Sequence, residues 1–345
     1  MQQPSVYELI LVLFLSILTR LQGDRRTSFI FIMTILKPPR LKKGDIIGIA
    51  APASPPTSSD ILAKGIRYLE QLGYRIMIGK HLYEKHGYLA GADNHRAADI
   101  NRMFSNPKVK AIFTVRGGYG THRILPMLNY NAIKRNPKIF VGYSDITALQ
   151  LAIFARTGLV MFSGPMVATE LGKSFRGSAE EQFWQCLTST KPPGVVNNPD
   201  QKSMKPLNRG VTAGRFLAGN LSLVTALLGT PYFPSLRGSI LAIEEIEEPP
   251  YKIDRMLHHL KLSRVFDQVR GVVLGTFTNC KPTSRKTPSL TLPQVFKEVF
   301  ASYEHPVLTG LHYGHVNGSL TLPIGIMTKL NASRGSLEFL ESPVE

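Results

Sequence analysis

The apolar positions of this chain fall into short runs separated by longer amphipathic stretches, and the alternation repeats. Ile46 to Ala50 (IIGIA) is an apolar run that ends in the turn-rich APASPPTSSD, and Ile61 to Leu72 then carries apolar residues at helical spacing. This predicts a strand, a loop and a helix. The order recurs with a strand at Arg75 to Ile78, a helix at His95 to Phe104, a strand at Ala111 to Val115 that ends in RGGYG, and a strand at Lys138 to Gly142. Strands alternating with helices predict an α/β fold, a parallel sheet with helices on both faces.

After a helix predicted over Glu180 to Leu187 the pattern loosens into KPPGVVNNPDQKSMKPLNRG. A domain boundary is expected there: an N-terminal α/β domain over 36–190, a linker over 191–211 and a C-terminal domain over 212–345. The second half predicts a helix at Leu221 to Leu228, a strand at Ser239 to Ile243, a helix near Ile253 to Leu262 and a strand at Gly271 to Phe277. Alternation at Ser336 to Leu340 adds a last strand, so this half reads as a smaller α/β unit with antiparallel pairs. SRKTPS, from Ser284, reads as an exposed loop.

Residues 1–35 stand apart. The apolar run Leu9 to Leu18 is too short to cross a bilayer as a helix, and the preceding MQQPSVYE has Glu8 and no Lys or Arg where an export signal carries positive charge. Met33 opens MTILKPPRLKKGD, which reads as the natural beginning of the domain. The segment before it is therefore read as an extension or a misassigned start, and the protein as cytoplasmic without stable membrane association.

Composition narrows the classes further. With 345 residues, 43% of them apolar, the chain has material for two ordinary cores. A formal charge of +17 raises the potential seen by anionic partners, but Lys and Arg are spread without a block of five or six and no nucleic-acid-binding motif accompanies them. A solvated basic surface is expected, with no nucleic-acid partner. The two cysteines, Cys186 and Cys280, form no CxxC pair and are expected as buried free thiols. The histidines, among them His258, His259, His312 and His315, include no HExxH pattern, so no metal is expected. Phosphate loops are a poor fit too: RGGYG has Arg123 where a dinucleotide fingerprint needs glycine, and GKS at Gly172 has Val167 where its earlier glycine belongs.

KIFVGYSDITALQLAIFARTG, from Lys138, carries the most chemistry. A strand runs into a tight turn at Ser144, and an amphipathic helix follows with Ile146, Leu149, Ile153 and Phe154 on one side. A serine there sits at the sheet's carboxyl edge beside the positive end of a helix, with the N–H of Asp145 placed as an oxyanion donor. The competing reading is a plain helix cap. RGGYG is either a loop whose small residues let backbone N–H groups approach a ligand or an ordinary turn needing positive φ. In SILAIEEIEEPPYKI, Glu244 and Glu245 follow a strand, either orienting a histidine or solvated. His315 lies in a glycine-rich turn of GLHYGHVNGSLTLPIG. These supply a hydroxyl nucleophile, a base and a carboxylate in the order Ser, Glu, His, although spacing alone does not bring them together.

On these residues the chain resembles the LD-carboxypeptidase family of serine peptidases, which includes the microcin immunity peptidases. The likeness runs from about Leu36 onward through LKKGDIIGIAAPASP, GYLAGADNHRAADINRMF, VRGGYG, VGYSDIT, GRFLAGNLSLV, EEPPYKIDRML and GHVNGSLTLPIG. It implies Ser144 as nucleophile, Glu244 as orienting carboxylate with Glu245 as the competing assignment, His315 as general base, and an oxyanion hole from the backbone of Gly118 and Asp145. It further implies a flavodoxin-like N-terminal domain, a smaller swivelling C-terminal domain, an active site between them, a homodimer and no cofactor. The implied reaction is hydrolysis of the L,D amide between meso-diaminopimelate and the terminal D-alanine of murein tetrapeptides in peptidoglycan recycling. The same triad acting on a microcin-like peptidyl nucleotide, or a non-catalytic basic binding module, are the alternatives. One departure is visible: Ser163 in FSGP stands where relatives often have histidine. Deleting residues 1–32 is expected to leave a folded, active enzyme; a truncated protein that is insoluble or inactive on murein peptide contradicts this.

Overall fold

Apolar runs too short for helices pair as strands, and here they pair into two sheets. The structure is a computed structural model that describes residues 34–173, 175–284 and 288–345. The expected N-terminal extension and the centre of the SRKTPS loop therefore lie outside the described residues, apart from Thr34, Ile35 and the loop's flanks. Five strands build a parallel set: β1 (Ile46–Ala50), β2 (Arg75–Ile78), β3 (Val109–Thr114), β4 (Ile139–Gly142) and β5 (Met161–Ser163), in the spatial order β5-β4-β3-β1-β2. This is the doubly wound order that reverses direction between β1 and β3, so the loops after those strands open a crevice at the sheet's carboxyl edge. Ile47, Ile49, Ile112, Phe113, Phe140 and Val141 are fully buried, which is why these strands read as apolar runs and not as alternating ones.

Helices α1 (Ser59–Gln71), α2 (Asp93–Ser105), α3 (Thr121–Ile124), α4 (Tyr130–Arg135), α5 (Thr147–Thr157) and α6 (Ser178–Thr188) connect and cover this sheet. The second sheet takes β6 (Gly194–Val195), β7 (Lys205–Asn208), β8 (Val211–Asn220), β9 (Ile240–Ile246), β10 (Gly271–Thr278) and β11 (Val307–Thr309), with α7 (Leu221–Leu227), α8 (Pro250–Leu262) and α9 (Leu292–Val299) between them. β12 (Leu322–Ile324), β13 (Met327–Asn331) and β14 (Ser336–Phe339) close the chain. The order in the second sheet is β6-β14-β13-β8-β9-β10-β11-β7, with β8 to β11 parallel and antiparallel strands on both flanks. β12 instead returns to the first sheet and pairs antiparallel with β5, so the last part of the chain belongs to both sheets.

Three local readings change. The loose segment around 191–211 contains β6 and β7, short edge strands: β6 has two residues, too few to alternate, and in β7 Lys205 and Pro206 hide the pattern. β9 continues through Glu244 and Glu245, which are 0% and 2% exposed, so these acids lie inside a strand and are not solvated beyond it. Helix α5 is not amphipathic: Ala148, Leu149, Gln150, Leu151, Ala152, Ile153 and Phe154 are all buried. It starts after one 3-10 turn (Ser144–Ile146) and packs between elements of both sheets, so no face is left to water.

Close approach explains the glycine of α1. A Cβ on Gly65 would stand 2.1 Å from the carbonyl oxygen of Val167, backbone that has no rotamer to change. Gly65→Ala gains helix propensity of about 1 kcal/mol but overpacks a buried contact worth roughly 1–3 kcal/mol or more. We expect a net loss of about 2 kcal/mol and a lower Tm in thermal denaturation; an unchanged or raised Tm contradicts the packing argument.

Candidate active site

The loops after β1, β3 and β4 meet at the carboxyl edge of the first sheet. Ser144, half-buried, follows β4 with φ of 64°, a left-handed conformation costing a serine roughly 1–2 kcal/mol. That bend turns the hydroxyl out of the strand-to-helix path. The β3 loop then comes against it: a Cβ on Gly117 would lie 2.8 Å from the Ser144 Cβ, 3.0 Å from its Oγ and 3.2 Å from the Asp145 nitrogen. Gly118 and Gly120 have φ of 110° and 124°, so RGGYG serves as a turn and as a close approach at once. The Gly118 position is exposed and borders Ser54 of the β1 loop, whose hydroxyl donates to the Tyr88 carbonyl (2.7 Å) and accepts the Tyr119 N–H (3.2 Å).

The Asp145 carboxylate turns away from the edge and accepts the Thr121 N–H at 3.0 Å, while the Thr121 hydroxyl donates to the Asp145 carbonyl at 2.6 Å. Burial raises the pKa of Asp145, against the bonds from Thr121 and Gly120 and the charge of Arg96. The fully buried Arg96 donates to the Pro52 and Gly120 carbonyls and pairs with Asp93, tying the β1 and β3 loops together. Gln150, buried in α5, donates to the Gly142 carbonyl at 2.8 Å and to that of Phe162 at 2.7 Å, pinning the ends of β4 and β5 beneath Ser144.

The second sheet brings the other two groups. The Glu244 carboxylate Oε2 lies 2.8 Å from His315 Nδ1, and His315 Nε2 lies 3.0 Å from Ser144 Oγ. An ionised carboxylate only accepts, so Nδ1–H donates to Glu244 and Nε2 is left to accept from the serine hydroxyl. The His315 turn is anchored on β10, where the Thr276 N–H donates to the Tyr313 carbonyl (2.8 Å) and the Thr278 hydroxyl to the His315 carbonyl (2.9 Å). Gly314, with φ of 119°, leaves room for the carboxylate: a Cβ there would stand 2.6 Å from Glu244 Oε2.

Neighbouring strand residues face opposite sides of a sheet, and this separates the two glutamates. Glu245 accepts from Asn220 Nδ2 (2.8 Å), the Ile246 N–H (2.9 Å), and the Ser222 N–H (2.8 Å) and hydroxyl (2.7 Å), at the start of α7. It does not touch His315 but holds the first turn of a helix.

Burial acts to lower the pKa of His315, but the hydrogen bond and charge of Glu244, with the charges of Glu245 and Glu170, outweigh burial and raise it above its ordinary 6.5. Tyr143 packs its ring 5.0 Å from that of His315 and donates to Glu170 at 2.8 Å. Ser163 is bonded to the Tyr313 hydroxyl at 2.8 Å and lines, with Tyr143 and Glu170, a small cavity. The cysteines are no rival nucleophiles: both are free, and burial pushes the thiols up to about 12 at Cys186 and about 11 at Cys280.

Elsewhere among the described residues, His81, Glu84 and His95 gather ligand atoms within 4.8 Å of one another. The two imidazoles stack at 4.2 Å with planes 17° apart, so a metal bound by both would lie far out of the plane of at least one ring. The group is built as a hydrogen-bonded stack, with Glu84 on His95 and Asp99 on His81. Sequence reasoning did not single out Gly117, Arg96, Thr147 or Gln150. Gln150 alone left a signal, a lone amide inside the apolar stretch TALQLAIF that must find buried partners.

A nucleophile elbow on a parallel sheet, with a histidine and a buried carboxylate in line, defines a serine-type hydrolase of mixed α/β architecture. Residues 47–164 match the LD-carboxypeptidase N-terminal domain and residues 213–330 the LD-carboxypeptidase C-terminal domain, and the chain belongs to this family of carboxypeptidases. It is 40% identical to the "Probable murein peptide carboxypeptidase" of Bacillus subtilis, over 86% of this chain and 92% of that one. The microcin C7 self-immunity protein MccF of Escherichia coli is 30% identical over 87% and 94% of the two chains. The structure of a muramoyltetrapeptide carboxypeptidase from Oxalobacter formigenes superimposes with a TM-score of 0.74 at 29% identity, covering 85% of this chain and 97% of that one.

The raised pKa of His315 has a sign that activity can test. A general base must be unprotonated, so kcat/KM is expected to rise with pH with a midpoint above 6.5. In Glu244→Gln the burial stays while the hydrogen-bonded charge goes, so the midpoint moves down and kcat falls by roughly a hundredfold or more. A pH–rate profile with the same midpoint in both proteins contradicts the assignment of Glu244.

Proposed function

We propose that the chain is a cytoplasmic LD-carboxypeptidase that hydrolyses the L,D amide between meso-diaminopimelate and the terminal D-alanine of murein tetrapeptides, in peptidoglycan recycling. The observation that carries the reading is the continuous chain from Ser144 through His315 to Glu244, at 3.0 and 2.8 Å, with the serine on a left-handed bend. The likeness to carboxypeptidases acting on murein peptides supplies the substrate class. No helix among the described residues is long and apolar enough to cross a membrane. A homodimer belongs to the same proposal.

In the first half-reaction Ser144 Oγ attacks the scissile carbonyl carbon and His315 Nε2 takes its proton. The N–H groups of Gly118 and Asp145 receive the developing oxyanion. His315 then returns the proton to the departing amine as the C–N bond breaks, D-alanine leaves, and the tripeptide remains as an ester on Ser144. Water, deprotonated by His315, hydrolyses that ester. Glu244 holds the imidazole in the tautomer with Nδ1 protonated and stabilises its cationic form.

The 30% identity to the microcin immunity protein favours a second reading, the same chemistry on an amide of a peptidyl nucleotide. Measuring D-alanine release from a purified murein tetrapeptide, beside cleavage of an aminoacyl sulfamoyl nucleoside, decides between the two. No cleavage of either, with tight salt-sensitive polymer binding, would instead favour a basic binding module. For the tetrapeptide we expect Ser144→Ala and His315→Ala each to lower kcat by roughly a thousandfold or more, with the double variant little worse than either. Additive losses would contradict a shared step.

A further inference from the structure

The proposed substrate ends in a free carboxylate, and the site around His315 is rich in carboxylates of its own: Glu244, Glu245 and Glu170 all act on its charge. A substrate with a terminal carboxylate is repelled by that field unless a cation meets it. The cations near the loop cluster are mostly committed. Arg96 is spent on two backbone carbonyls and Asp93, and Arg123 is paired with Asp93 at 2.8 Å. Arg116, the first residue of RGGYG, is the exception: it is half-buried and has no hydrogen-bond or ion-pair partner among the described residues. Its side chain folds back over its own loop, with Nη2 only 3.6 Å from where a Cβ on Gly118 would stand.

We propose that Arg116 is a specificity-determining residue that binds the free α-carboxylate of the departing C-terminal amino acid. Reach supports this. The carboxylate carbon of the leaving residue is three bonds from the scissile carbonyl carbon, at most about 4 Å away. The guanidinium stands beside Gly118, whose N–H the proposed mechanism assigns to the oxyanion, while the adjacent Gly117 touches Ser144. A planar fork with uncommitted donors suits a carboxylate, which it can grip with two charge-assisted hydrogen bonds. A committed structural arginine would look like Arg96, buried with both terminal nitrogens bonded to carbonyls and a carboxylate; Arg116 has the opposite character. The glycine at 118 serves the same end, since a side chain there would crowd the guanidinium and Ser54 together.

This rests on the proposed substrate ending in a free carboxylate, and the test separates the two. The wild type, Arg116→Ala and Arg116→Lys are assayed on a murein tetrapeptide ending in D-alanine and on the same peptide ending in D-alaninamide, each read as kcat/KM. The wild type is expected to prefer the acid by roughly a hundredfold, the range of a charged hydrogen-bonded contact. Arg116→Ala should bring that preference to within about threefold, and Arg116→Lys, which keeps the charge without the fork, should lie between. A merely structural loss would slow both peptides alike and leave the ratio at the wild-type value, which would overturn the role of Arg116 alone. A wild type that cleaves neither peptide overturns the substrate reading and this proposal with it.

Discussion

Everything at this site depends on how closely the helix that follows Ser144 approaches the second sheet. Ser144 and His315 are 171 positions apart in the chain and come from different sheets, so neither local turn chemistry nor strand pairing alone brings them together. The approach is made by Thr147 at the start of α5. Its hydroxyl oxygen accepts the Asn220 N–H at 3.1 Å, and a Cβ on Gly219 would stand 2.4 Å from its methyl carbon. Asn220 is in register with Glu244 on the neighbouring strand. The glycine in β8 therefore sets the distance between the strand that holds the carboxylate and the helix that holds the serine. β12 joins the first sheet from the C-terminal part of the chain and adds a second tie, and the bond between Ser163 and Tyr313 a third.

The polar groups are arranged so that each buried charge has one task. Glu244 gives Oε2 to the histidine, while Glu245, one residue on and facing the other way, spends both oxygens on Asn220, Ile246 and Ser222. Buried carboxylates are costly unless their lone pairs are filled; Glu245 fills both oxygens at a helix start, whereas Glu244 spends Oε2 on the imidazole and keeps Oε1 buried without a partner. The same economy holds in the first sheet. The backbone nitrogen of Asp145 lies against Gly117 and its carboxylate secures Thr121, so one residue both follows Ser144 and restrains the β3 loop. Ser144 itself bears the backbone strain that exposes its hydroxyl, held in place by Gln150 below and Thr147 behind.

The parallel half of the fold was legible because its strands are short apolar runs between turns: the buried β1 and the half-exposed edge strand β2 lie at the bounds their sequence predicts, Ile46–Ala50 and Arg75–Ile78. The edge strands β6 and β7 were not, since a two-residue strand has no alternation to read and Lys205 and Pro206 mask it in the other. Helix α5 was misread as amphipathic because periodicity marks one buried face and says nothing of a second neighbour. At the site, Ser144, Glu244 and His315 were visible as residue types in turns and strand ends, but their meeting was visible only through likeness to a family. Arg96 and Gly117 escaped because an arginine in a polar helix and a glycine in a turn look ordinary; their meaning lies in backbone carbonyls and a serine that only the fold brings near.

The central claim is that Ser144 becomes covalently attached to the substrate's acyl group with His315 as its base. Intact-protein and peptide mass spectrometry of enzyme quenched during turnover of a murein tetrapeptide tests it most directly. The account predicts a transient adduct equal in mass to the tripeptide acyl group, located on Ser144 and absent in Ser144→Ala. An adduct on another residue, or D-alanine release by Ser144→Ala at the wild-type rate, would contradict it.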